Sequence, residues 1–452
     1  MPGSYRRPEF LTSKDEPTNR IRCPIHGFIH FSENERQIIN HSLFRRLRYI
    51  RQLALTEFVY PGACHTRFEH VLGVMEVATR AFDTLLSKRG NLMENLFRKV
   101  AGFEDRPLEK ARQILRLAAL LHDIGHASFS HAAEKVIFKG SDHEQLSIKI
   151  VKEEGYLGGL IDRYFWEGCA RRVGELIEGG RDLPPQFRIL RNLVSSQMDA
   201  DRTDYLLRDS HHCGVDYGRF DYLRMIECLE AQENEWGELE LALKRDGIHT
   251  FEALILARYQ MNTQVYYHRL RRLYDMYLEK YHEALKDEFQ GTPEEILSHN
   301  DITMMSKIFS DAQSGVGDKR KWAKRITDRN HHRMIFETGV NLDATGKRIF
   351  KNVFESIKNH FSDIEVLSDL AEGYIHKLLI PGDKDDKEWI QLSLVEPNGY
   401  TKQFGEESQI LRFIPRDFAC GRIFADSDRE KEALIKEIKE FAVAKWREKG
   451  GH

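Results

Sequence analysis

Three stretches of this chain carry residues whose types and spacing suit chemistry on a metal ion. The densest is Leu120-Leu121-His122-Asp123-Ile124-Gly125-His126, which sets an imidazole beside a carboxylate at the end of an apolar run. Upstream, His65-Thr-Arg67-Phe-Glu-His70 opens an amphipathic segment with Arg67 and His70 three residues apart, on one helical face. Downstream, Asp199-Ala-Asp201-Arg202-Thr-Asp204-Tyr205-Leu-Leu-Arg-Asp209 puts Asp201, Tyr205 and Asp209 at i, i+4 and i+8. Three helices can thus each offer a ligand to one cavity between them. Neutral imidazole with carboxylate suits Mn, Fe, Co, Ni or Zn, and with enough carboxylate character Mg. At this level Asp199 rivals Asp201 as the ligand, and Arg67 has Glu69 as an alternative partner.

The order H…HD…D over this spacing resembles the HD superfamily, and further motifs narrow the likeness. Phe44-Arg-Arg-Leu-Arg48-Tyr-Ile-Arg-Gln52-Leu53 and Val59-Tyr-Pro-Gly-Ala-Cys-His-Thr-Arg67-Phe-Glu-His70 resemble deoxynucleoside triphosphate triphosphohydrolases. Those include the eukaryotic sterile-alpha-motif/HD enzyme and bacterial dGTPase-like proteins. The likeness continues through His122-Asp123-Ile-Gly-His126-Ala-Ser-Phe-Ser-His131, His143-Glu144-Gln145 and Asp201-Arg202-Thr-Asp-Tyr205-Leu-Leu-Arg-Asp209.

Position by position, the resemblance implies one divalent metal held by His70, His122, Asp123 and Asp201. It implies Arg67 and Arg202 on the triphosphate, and Gln52, Leu53, Tyr205 and Asp209 around the sugar. It implies a catalytic cluster of His126, His131, Glu134, His143 and Glu144. Within that cluster, His131 backed by Glu134, or His143 backed by Glu144, would protonate the leaving sugar oxygen. As a set His126, His131 and His143 also admit a second-metal or a structural reading. The eukaryotic relative has lysine at the position of Arg202, which keeps the charge without the bidentate grip. Where that relative reads an activating guanine with aspartate, this chain has Asn40, although Arg48 is kept; an amide loses the carboxylate's double acceptor pattern. His26, His65, His211 and His212 read as structural.

The elements needed to position these groups are mainly helical. Apolar residues from Phe68 to Leu86 recur at helical spacing, and Asp105-Arg-Pro-Leu-Glu predicts a capped helix start leading into Ile114, Leu115 and Leu117–Leu121, apolar nearly all round. A further long helical pattern covers 251–286, and Tyr266–Arg272 within it is expected to border the pocket. Residues 315–330 turn polar and basic, after which short β-like runs at 377–380, 389–395, 410–414 and 421–425 precede a final amphipathic helix. The expected fold is mainly α: a flexible tail over 1–20, an HD catalytic lobe over 21–330 and a smaller α+β lobe over 331–452.

Composition bounds the alternatives. Lys and Arg number 68 against 71 Asp and Glu, a net charge of −3, so nucleic-acid binding is not favoured. Six scattered cysteines without a CxxC pair argue against a zinc ribbon or a disulfide framework. No apolar run reaches membrane-spanning length. The expectation is a cytoplasmic homo-oligomer, dimer or tetramer, that takes a nucleotide substrate and admits a nucleotide effector. Two other readings stay open: an HD phosphohydrolase acting on another nucleotide or a nucleic-acid end, and a non-catalytic nucleic-acid-binding HD protein.

Overall fold

Burying a helix on every side demands partners for each of its charged residues, and the architecture supplies them. The computed structural model describes residues 18–130, 134, 136–138, 141–180, 183–234, 237–380, 390–426 and 432–451. A hairpin of β1 (Asn19–Cys23) and β2 (Gly27–Phe31) leads to α1 (Glu33–Ile39), whose Ser32 and Glu35 form a reciprocal capping box. The long α2 (Arg67–Arg98) loses helical geometry at Arg89. It packs on α3 (Pro107–Leu121), which is buried almost all round. Arg116 of α3 is met by Glu35 at 2.6 Å and Arg112 by Asp83 at 2.9 Å, so the burial leaves neither charge alone. The start of α3 differs from expectation: Pro107 does occupy the first turn, but the cap residue is Arg106, and Asp105 instead receives Lys110 Nζ at 2.7 Å.

Around this pair lie α4 (His143–Lys152), α5 (Cys169–Glu178), α6 (Arg188–Val194) and α7 (Ala200–Cys213). Asp199 caps α7, and Gly214 ends it at φ +70°, where a side chain would be strained. A second hairpin, β3 (Leu229–Glu233) and β4 (Leu239–Lys244), precedes α8 (Ile248–Met261). The single helix expected over 251–286 is broken: a π-turn at 262–266 separates α8 from α9 (Arg269–Ala284). Tertiary partners favour the break, because it lets Tyr266 reach Asp209 and lets Tyr267 stack on Phe418 with ring centroids 4.6 Å apart.

Next come α10 (Asp301–Ser314) and α11 (Gly317–Thr327). The basic run there is helical; it buries Trp322 and Ile326 and sends Lys321 to Glu365 at 2.5 Å. The C-terminal region is α+β. It holds β5 (Arg333–Glu337), α12 (Ala344–His360), β6 (Val366–Tyr374), β7 (Ser393–Val395), β8 (Thr401–Gln403), β9 (Asp417–Ala425) and α13 (Glu432–Glu448). One sheet runs β5-β9-β6 and shares a core with α12 and α13; the other runs β3-β4-β7-β8, with β7 parallel to β4. The run 410–414 is not a strand; it turns, with the Leu411 amide donating to Ser408 Oγ. Trp389, within another expected strand, lies outside the described residues, as does nearly all of the expected tail.

Candidate active site

Ends of helices meet at the candidate site. His70 sits in the first turn of α2, His122 caps the C-terminus of α3, Asp123 follows it, and Asp201 lies in the first turn of α7, where the helix dipole favours a carboxylate. His70 Nε2 is 3.0 Å from Asp201 Oδ1 and 3.8 Å from Asp123 Oδ2. His122 Nε2 is 3.4 Å from Asp123 and 3.7 Å from Asp201. Asp199, the rival ligand, is occupied elsewhere: it accepts from the Ser196 and Arg202 amides at 2.6 and 2.7 Å and pairs with the Arg202 guanidinium.

The donor set fits a divalent cation. His122 Nδ1 lies 2.9 Å from the Ala119 carbonyl, which fixes its proton there and turns the Nε2 lone pair inward. That Nε2 is buried without a hydrogen-bond partner among the described residues, facing two carboxylates, as a metal ligand should. His70 Nδ1 is likewise fixed by Asp204 Oδ2 at 2.8 Å. Burial opposes a charge on His70, yet its bonds to Asp201 and Asp204 push it up to about 10. Burial also opposes ionisation of Asp201, but the neighbouring His122 and His70 imidazoles hold it below the usual carboxylate range. Two carboxylates converging on two imidazoles make a pocket built for positive charge.

Asp204 is the chief residue that motif reading missed. Fully buried, it also receives His26 Nε2 at 2.6 Å and two Arg208 nitrogens at 2.8 Å. His26, read as structural, thereby braces a metal-ligand histidine from the first hairpin. The only sequence signal was the three-residue spacing of Asp201 and Asp204. Gly73 makes room for this carboxylate: a Cβ there would lie 1.8 Å from Asp204 Oδ1. Gly73→Ala is therefore expected to cost roughly 1–3 kcal/mol or more by overpacking. Urea unfolding measures that loss, and metal content should fall with it as His70 loses its brace.

Arg67 is buried and pairs with Asp123 rather than Glu69, and its Nε donates to Ser130 Oγ at 2.9 Å. Arg202 lies beside Asp199 and Asp201, partly buried. His126 Nε2 is 3.3 Å from Asp123 Oδ1, its ring stacks on His143 at 3.8 Å, and Glu134 reaches His143 Nδ1 at 2.7 Å and His126 Nδ1 at 3.2 Å. Burial and the Arg67 charge push His126 down to about 3, so it is neutral at neutral pH. The carboxylate supporting His143 is thus Glu134. Glu144 is exposed at the start of α4 and lies near Arg191 instead. His131 lies outside the described residues.

Gln52 and Leu53 line a cleft of about 220 Å³ with Phe129, Ser130, Arg271 and Asp275. Gln52 Oε1 is buried there without a hydrogen-bond partner among the described residues. Tyr205 packs edge-on to Tyr266, 6.1 Å between centroids. Asp209 accepts from Tyr266 at 2.7 Å and lies 2.7 Å from His65 Nε2, so His65 orients that carboxylate. Tyr266 and Arg271 fall in the stretch expected to border the pocket.

Residues 67–208 match the HD domain, and residues 220–415 match the HD-associated region. The chain is 28% identical to the uncharacterized protein YwfO of Bacillus subtilis, over 92% of this chain and 95% of that one. It is 27% identical to a protein of Dictyostelium discoideum named deoxynucleoside triphosphate triphosphohydrolase SAMHD1 homolog. That match covers 72% of this chain and spans 61% of the Dictyostelium protein, less than two thirds of its length. Among solved structures, a hypothetical protein from Aquifex aeolicus aligns with a TM-score of 0.72 and 25% identity, covering 94% of this chain and 99% of that one.

Proposed function

We propose, from the premise that this chain belongs to the HD-domain family of metal-dependent phosphohydrolases, that it hydrolyses deoxynucleoside triphosphates to deoxynucleoside and tripolyphosphate. The observation that carries this reading is the buried Arg67, seated on a carboxylate of the metal set and adjoining the Gln52–Leu53 cleft through Ser130. A phosphate-binding cation, a metal site and a sugar-sized wall then lie in sequence. The named activity of the Dictyostelium relative agrees with it.

When bound by His70, His122, Asp123 and Asp201, a divalent cation supplies charge neutralisation at the phosphoryl group and a more acidic water. The remaining work falls to side chains of this chain. Arg67 and Arg202 exchange their carboxylate partners for phosphate oxygens, and the guanidinium of each suits a bidentate grip. His143, aligned by Glu134, or His131, donates a proton to the sugar oxygen as water attacks the α-phosphorus and the bond from that phosphorus to the sugar oxygen breaks. Gln52 Oε1 is an unpaired acceptor for a sugar hydroxyl, and Leu53 and Tyr205 close the wall where a 2′-hydroxyl would sit. An apolar wall rejects an added hydroxyl only modestly, so ribonucleotides should be turned over slowly rather than not at all.

A panel of dNTPs, NTPs and alarmones incubated with the metal-loaded protein tests the reading. Tripolyphosphate released from dNTPs, at least about tenfold faster than from NTPs, is the expected result. Pyrophosphate or monophosphate as the released product would sink it. Oligomer assembly and a nucleotide effector belong to the same proposal. Asn40 stands where the resemblance places a guanine-reading carboxylate, and its amide lacks that double acceptor, which supports an effector other than guanine nucleotide, or none.

A further inference from the structure

We propose that Asp301, which belongs to none of the catalytic motifs, is the positioning residue that sets Arg67 for the phosphate chain. The inference rests on the reading above that Arg67 meets phosphate.

Asp301 opens α10, about 250 residues away in sequence from the segment it holds, and is 4% exposed. Its Oδ2 accepts from the Arg51 amide at 2.8 Å and its Oδ1 from the Phe129 amide at 2.8 Å. The two amides belong to the two backbone segments that flank Arg67. On one side Arg51 bridges Thr66, the Gln52 amide donates to His65 and the Arg67 amide to Ile50, so 50–52 and 65–67 form a short ladder. On the other side Phe129 and Ser130 both hold left-handed backbone, φ +56° and +51°, which side-chain-bearing residues adopt only under constraint. Ser130 Oγ joins the two sides, donating to the Arg51 carbonyl at 3.2 Å and accepting from Arg67 Nε at 2.9 Å. One carboxylate therefore clamps the strained turn and the ladder together, and the hydroxyl presented by that turn orients the guanidinium.

Only an ionised carboxylate accepts from both amides at once. Burial pushes Asp301 up to about 6 against the pull of those two amides and of Arg51 and Arg67. Arg46 also faces it, holding the Ile124 and His126 carbonyls behind the same turn. Among the described residues the remaining titratable groups, Arg48, Tyr49, Glu57 and Cys64, line a cleft of about 600 Å³ together with Asp301. The clamp is closed at pH 7.5 and loses one of its two bonds as pH falls through about 6.

The experiment compares wild type, Asp301→Asn and Ser130→Ala, all metal-loaded, with an equimolar mixture of the four dNTPs as substrate. Inorganic tripolyphosphate serves as competitive inhibitor. At pH 7.5 Asp301→Asn is expected to raise KM and the tripolyphosphate Ki together by about 10-fold or more, with kcat within about threefold and metal content unchanged. The wild-type-to-variant ratio of kcat/KM should contract toward one as pH is lowered from 7.5 to 5, a change that a merely structural aspartate would not produce. Ser130→Ala should raise KM alike, and adding Asp301→Asn to it should change little more. A folded Asp301→Asn protein with unchanged KM and Ki overturns the proposal, as does a pH-independent ratio. If Asp301→Asn does not fold, an unchanged KM in Ser130→Ala overturns it. A wild type that turns over no dNTP refutes the substrate reading instead. The tripolyphosphate affinity of wild type and variants, measured by calorimetry, then still decides the clamp.

Discussion

His122→Ala is expected to abolish hydrolysis, by about 10³-fold or more, and to lower bound metal below stoichiometry while the protein stays folded. Outer partners of a metal ligand are each worth 10–100-fold, and loss of a ligand exceeds that. The side chain makes one conventional hydrogen bond, to the Ala119 carbonyl at a helix end, so its removal takes little from the fold. Asp123→Ala should be equally inactive but should differ in stability. It strips the buried Arg67 of its carboxylate, and an uncompensated buried charge costs about 3–5 kcal/mol. Metal analysis, urea unfolding and tripolyphosphate release on both variants separate the two losses. Full residual activity in either would refute the metal assignment.

Arg67→Ala is the second large effect. With Asp123 freed of its cationic partner the metal should bind at least as well, while kcat/KM falls by about 10²–10³-fold for want of charge on the phosphate chain. Catalytic loss without metal loss is the signature to look for, by comparing metal stoichiometry with steady-state rates. Arg67→Lys should recover only part of the rate, because an ammonium cannot donate to Ser130 and grip phosphate along one plane. Arg202→Lys should be mild, within about 10-fold, since that position needs charge more than a fork. If Arg67→Ala lost metal as well, Arg67 would be supporting the ligand set rather than the substrate.

Much of the site was legible because its motifs are local. His122 and Asp123 are adjacent at the end of α3 and Arg67…His70 lie within the first turn of α2, so spacing alone aligns each pair. What escaped sequence reading was contact between distant segments. Asp204 and His26 meet across 178 residues, and Asp301 grips Arg51 across 250. No periodicity encodes such pairs. Glu134 was read as support for His131 and reaches His143, since the direction of a carboxylate depends on packing between helices. The break at 262–266 was hidden for a similar reason: the helical spacing of the flanking residues runs on through it, and aromatic contacts from other segments fix the turn. β6 was missed although its burial alternates, because its polar side reads as loop.

The parallel pairing of β7 with β4 bears on how the chain is made. Residues 242–244 bond to 393–395, so the sheet beside α8 gains its third strand only after some 150 further residues have left the ribosome. Until then β4 presents an unpaired edge, a template for wrong partners, and closing so long a loop is slow. Chains released early, before residue 393, are expected to aggregate rather than to yield an active helical portion. A nested set of stalled truncations, scored for solubility and for metal retention, should show both appearing together once β7 and β8 emerge.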